Sequence, residues 1–67
     1  MKRFMVLNAT DGIYAHPKAV SRAEGERLIA NIRARFQRQG YYASVEGHIP
    51  VAELKLELEP VEEEDGV

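Results

Sequence analysis

Cysteine is absent from the 67 residues, which excludes disulfide stapling and thiolate-bound metal and suits a reducing compartment. Long apolar runs are absent too. The opening stretch M-K-R-F-M-V-L is interrupted at Asn8 and Asp11, too soon for the hydrophobic region of a signal peptide and far too soon for a membrane span. The chain is therefore expected in the cytoplasm, without membrane contact. Groups that carry chemistry are few. Asp11, His16 and His48 are the only set from which a metal or acid–base site could be drawn, and no close ligand spacing such as HExxH joins them. Neither Ser21 nor Ser44 lies in a nucleophile elbow or a phosphate-binding glycine loop. No KH-type GxxG loop, paired aromatic RNA-binding signature or second helix for a helix-turn-helix is present. The expectation is a chain that is not an enzyme and carries no cofactor and no metal.

What is present is organised around one stretch, S-R-A-E-G-E-R-L-I-A-N-I-R-A-R-F-Q-R-Q, from Ser21 to Gln39. Ser21 and Glu24 form a capping box, and Gly40 stands where a left-handed C-cap is wanted, with Arg38 in the last turn. The spacing predicts a single helix about 28 Å long. At 100° per residue Gly25, Leu28, Ile29, Ile32 and Phe36 share one arc, which is the expected buried face. Gly25 in that arc suggests close approach to a sheet or another backbone. Ala23, Ala30 and Ala34 lie on the opposite side. They are either good helix formers on a solvated face or a surface on which two helices approach closely.

Arg3 to Ala9 reads as a strand, with Phe4, Val6 and Asn8 on one face and Met5, Leu7 and Ala9 on the other. Asp11-Gly12 predicts a turn, followed by a short antiparallel return at Ile13 to Ala15. Val20 is placed to act as half of a hydrophobic staple against a neighbour or Gly25, which has no side chain to offer. Beyond the helix, Tyr41 to Val45 predicts a strand, Glu46-Gly47 a turn, His48-Ile49 a brief continuation, and Pro50 to Glu53 a bend or single turn. The alternation L-K-L-E-L from Leu54 to Leu58 predicts a half-buried strand ended by Pro60. Residues 1–60 are thus expected to form one small α+β domain: one long helix packed on a three- or four-stranded, mainly antiparallel sheet in the order β-(β)-α-β-β. Residues 61–67 are expected to form a flexible acidic tail.

Charge is divided along the chain although the net value is only −2. The helix carries Arg22, Arg27, Arg33, Arg35 and Arg38 against Glu24 and Glu26, whereas residues 41–67 carry Lys55 against seven glutamates and one aspartate. On the helical wheel Arg27 and Arg38 form one pair and Arg22 and Arg33 another, rather than one stripe. The pattern Q-G-Y-Y-x-S followed by I-P-x-x-E-L-x-L resembles small bacterial proteins and implies no particular activity. The preferred reading is a non-catalytic protein-interaction or assembly module that self-associates as a homodimer or binds another protein. Its candidate interface residues are Met5 and Leu7 on the sheet and Ala23, Ala30 and Ala34 on the helix. The alternative is a nucleic-acid-binding regulator that uses Arg22, Arg27, Arg33 and Arg38.

Overall fold

Two caps delimit the helix. In the structure, a computed structural model that describes residues 2–61, Ser21 Oγ accepts the Glu24 N–H at 3.2 Å. Gly40 adopts φ 95° and its N–H returns to the Phe36 carbonyl. A residue with a Cβ would be strained there, so the helix stops where glycine permits it. Between the caps runs α1, Arg22–Gln39.

The strands are β1 (Arg3–Asn8), β2 (Ile13–Tyr14), β3 (Tyr42–Ser44), β4 (Gly47–Ile49) and β5 (Leu56–Val61), with a 3-10 turn at Val51–Glu53. The element order agrees with the sequence expectation. β1 is central in an antiparallel sheet ordered β2-β1-β5, and β3-β4 form a hairpin of their own rather than further strands of that sheet. The register opposes Phe4 to Pro60, Val6 to Leu58 and Asn8 to Leu56. Directly opposed residues share a face, so these six form one surface. The helix lies on it. Phe4, Val6, Leu54 and Leu56 are buried, and Ile29, Ile32 and Phe36 pack on the cluster of Tyr42, Leu54 and Leu56. Burial of Val6 and Leu54, which retain 0% and 1% of their exposure, contributes about 1.5–3 kcal/mol each.

β1, β2 and β3 are each shorter by one or two residues than expected, and β5 departs in two further details. Leu54 precedes β5, and Pro60 does not end that strand but lies inside it. The reason lies in the hydrogen-bond pattern. Phe4 exchanges both backbone bonds with Val20, at 2.7 and 2.8 Å, so Phe4 points away from β5 and its opposite number Pro60 points away from β1. The missing proline N–H thus falls on the outer edge, where the β1–β5 ladder needs no donor. Val61, expected in the tail, pairs with Arg3 as the last residue of β5. The remainder of the expected tail, residues 62–67, lies outside the described residues. Val20 is likewise used differently from a staple, since it bridges to Phe4 and ties the approach to α1 onto the central strand.

Gly25 is the buried residue of α1. A Cβ there would stand 2.5 Å from Leu58 Cδ2 and 3.5 Å from Cδ1, so the absence of a side chain sets how closely helix and sheet approach. Alanine at this position gains about 1 kcal/mol of helix propensity. It also forces the half-buried Leu58 side chain to rotate, at a cost of about 1–3 kcal/mol. Gly25→Ala is therefore expected to be neutral to destabilising by about 2 kcal/mol in the native background, but stabilising by about 1 kcal/mol in a Leu58→Ala background. Denaturant titration of the four proteins measures the coupling, and equal effects in the two backgrounds would disprove the close approach.

Candidate functional site

Among the described residues no helix covers the second face of the sheet. Odd-numbered residues of β1 and β5 point there, and they are opposed as Arg3–Val61, Met5–Glu59 and Leu7–Glu57. Met5, Leu7 and Val61 are half-buried. Tyr14, opposite Leu7 on β2, is 52% exposed, and its hydroxyl donates to Glu59 Oε1 at 2.6 Å. Since β1 lies between β2 and β5, this hydrogen bond spans the central strand. The aromatic ring accordingly screens part of the apolar surface that Met5 and Leu7 present. The Glu59 carboxylate raises the Tyr14 pKa, first by accepting its proton in a hydrogen bond and then by its charge. Of the sequence-derived interface residues, Met5 and Leu7 are therefore together on the bare face.

The same hydrogen-bond pattern leaves an edge. Ala15 donates to the Val6 carbonyl at 2.8 Å and Ala9 donates to the Lys55 carbonyl at 2.9 Å, so even residues of β1 bond toward β2 and odd ones toward β5. On β5 the backbone groups of Glu57 and Glu59 consequently face β1, and those of Leu56 and Leu58 face outward. Among the described residues no strand pairs with that outer edge.

The remaining sequence-derived residues are scattered over α1. Ala23 and Ala30 are exposed and Ala34 is half-buried, on the side of the helix away from the sheet. Arg22 lies over the Phe4 ring, 4.7 Å from its centroid, and Arg27 pairs with Glu24 one turn earlier. Arg33 is half-buried and Arg38 exposed. The pair Arg22/Arg33 is separated from Arg27/Arg38 by about 140° of helix surface, so the four guanidinium groups do not form one phosphate-tracking row.

Several groups that could carry chemistry take part in the hydrogen bonds of the fold. Asn8, a polar residue with the parity of Phe4 and Val6, is 5% exposed. Its Nδ2 donates to Tyr42 Oη at 2.7 Å, and its Oδ1 accepts the Asp11 N–H at 3.1 Å. Tyr42 Oη in turn donates to Asp11 Oδ2, while Asp11 Oδ1 accepts the Val45 N–H at 3.3 Å. This closed ring latches the β3-β4 hairpin to the turn that follows β1. Phe36 packs edge-on against the same tyrosine, with 4.8 Å between centroids. Among the described residues no buried side-chain polar atom lacks a partner. Ser44 Oγ accepts the Glu46 N–H and Thr10 Oγ1 accepts the Lys55 N–H, so these hydroxyls support turns and strands. His48 stacks on Tyr41 at 4.1 Å. Among the described residues no cluster of three or more His, Cys, Asp or Glu side chains could hold a metal ion. An open depression of about 320 Å³ between Thr10, Ser44 and Ile49 is rimmed by Glu46, Glu53 and Lys55 and contains no imidazole.

Sequence reasoning missed the latch, the Tyr14–Glu59 bond and the outer edge of β5. Asn8 was a usable signal, because a polar side chain in line with Phe4 and Val6 needs a buried partner. The other two depend on register, which no local pattern specifies.

The latch sets a pH dependence. Tyr42 is raised above the usual tyrosine range, chiefly because its proton is donated to Asp11 and secondarily by burial, against a smaller opposing effect of Asn8. A raised folded pKa means that the neutral phenol contributes stability present below the unfolded value of 10.0 and lost as pH climbs through the folded value. Tyr42→Phe is expected to cost about 1–3 kcal/mol at neutral pH, because Asn8 and Asp11 lose their partner. The gap to the native protein should narrow above about pH 10. Chemical denaturation across that range checks it, and a gap that stays constant would show that Asp11 does not hold the phenol proton. No protein-family model matches the chain, and neither a curated protein nor a solved structure matches it.

Proposed function

We propose that this chain is a non-catalytic assembly module that associates with protein, in the first place with itself, through the side of its sheet that carries no helix. The observation that carries the reading is the face of β1 away from α1, where Met5 and Leu7 are half-buried and the Tyr14 ring reaches over part of them. One helix covers one sheet face, and in a chain this small the area it buries is modest. A partner that covers the second face adds apolar burial the isolated chain lacks. The polar groups described above are occupied in caps, turns and the latch, which favours a binding role over a catalytic one. No helix among the described residues is long and apolar enough to cross a membrane. The cysteine-free composition suits a reducing bacterial cytoplasm, where we place it.

Light scattering from micromolar to millimolar concentration tests the proposal. The expected result is a species of twice the 7.6 kDa chain mass that persists at about 1 M salt, where exposed charges are screened within about 3 Å. Ala30→Glu should leave that species intact, since the exposed back of α1 lies away from the sheet. A 7.6 kDa species throughout would defeat self-association.

A further inference from the structure

Two copies of this chain can also meet along the outer edge of β5, a contact that rests on the self-association proposed above but not on the bare face as its surface. We infer that two copies join antiparallel through this edge, with the twofold axis at Glu57. The result is one continuous six-stranded sheet ordered β2-β1-β5-β5-β1-β2.

Register follows from three constraints. First, the backbone groups that face outward belong to Leu56 and Leu58 and to the carbonyl of Pro60, so only even residues of one copy can bond to even residues of the other. Second, the extended stretch has a defined start. Leu54 has φ −71° and ψ 122° and the 3-10 turn ends at Glu53, so among the described residues extended chain runs from Leu54 to Val61. An axis at Glu57 or at Leu58 overlaps this stretch with itself most fully, whereas an axis at Leu56 would drive the partner's strand end against the turn. Third, charge and proline separate the two that remain. With the axis at Leu58, Glu57 faces Glu59 of the other copy twice, and Pro60 lies within the new ladder opposite Leu56, whose carbonyl then has no donor.

With the axis at Glu57, Lys55 faces Glu59 of the second copy, twice by symmetry. Leu56 and Leu58 exchange both backbone bonds with Leu58 and Leu56 across the axis. Pro60 then falls opposite Leu54 at the end of the new ladder rather than within it, so its missing donor leaves the terminal Leu54 carbonyl unpaired there, while the Leu54 N–H is already bonded to the Val51 carbonyl at 3.0 Å. The one unfavourable contact is Glu57 facing its own copy. An exposed strand edge risks open-ended pairing. The symmetric register closes after two copies because it uses each β5 edge once, and β2 at the other side of the sheet offers only two residues. A twofold axis perpendicular to the sheet keeps both helices on one side, so the bare faces of the two copies merge.

The cysteine-free chain permits a direct test of register. Outward-bonding residues flank Glu57, so Glu57 and its symmetry mate form a non-hydrogen-bonded pair, the closer kind, with Cα atoms about 4.5 Å apart. That is within the range a disulfide bridges. Glu57→Cys and Glu59→Cys, each exposed to a glutathione redox couple at micromolar protein, are compared on non-reducing gels. The expectation is a covalent dimer from Glu57→Cys that forms about 10-fold faster than from Glu59→Cys, whose thiol faces Lys55. Glu57→Gln removes the like-charge contact and should tighten the dimer about 2- to 5-fold in sedimentation equilibrium. Equal crosslinking rates, or a faster Glu59→Cys, would overturn the register. A native dimer in light scattering with no crosslinking from Glu57→Cys would overturn edge pairing and leave the assembly reading standing through the bare face. A native protein that remains monomeric would overturn both.

Discussion

Everything in this fold depends on the antiparallel ladder between β1 and β5. Opposing Val6 to Leu58 and Asn8 to Leu56 places the even residues of both strands on the helix side of the sheet and the odd residues on the other face. A shift of one residue would exchange the two sets and expose the core. The same ladder determines which backbone groups are consumed inside the sheet and which face outward. Core composition, the uncovered surface and the available edge are thus three consequences of one register.

The helix is positioned by what it lacks. Gly25 brings α1 onto Leu58, and Val20, bridged to Phe4, fixes where the chain enters the helix. At the other end, Gly40 releases the chain into the β3-β4 hairpin, which belongs to a separate ladder and must be held by side chains. The ring of Asn8, Asp11 and Tyr42 does this. A buried polar ring is costly unless each member is satisfied, and here each is, so it specifies the hairpin position in a way that apolar contact alone does not.

For a reading of function, the informative feature is how the available chemistry is distributed. The Ser21, Ser44 and Thr10 hydroxyls are bonded to backbone N–H groups, and the Asn8 amide and the Tyr14 and Tyr42 hydroxyls to other side chains. The arginines of α1 are divided between contacts with Phe4 and Glu24 and separate half-buried or exposed positions. Among the described residues, surface without a covering layer collects on one side of the sheet and along β5, which supports the proposed assembly role.

Several elements could be read from the residues alone because their causes are local. The helix limits follow from Ser21, Glu24 and Gly40, the buried arc from 3.6-residue spacing, and the parity of Phe4, Val6 and Asn8 from the pleat of a strand. The single turn before Leu54 follows from Pro50. Met5 and Leu7 were identifiable as the second face of the first strand by the same parity. Which residues of β5 stand opposite them was not, because register is set by contacts across more than 40 positions of chain rather than by neighbours. For that reason Pro60 read as a terminator and proved to be an edge residue, Val61 read as tail and proved to be paired, and the Tyr14–Glu59 bond left no trace in any local pattern. Local sterics and hydrogen-bonding capacity are written in each residue, whereas the choice of partner is made only when the strands meet.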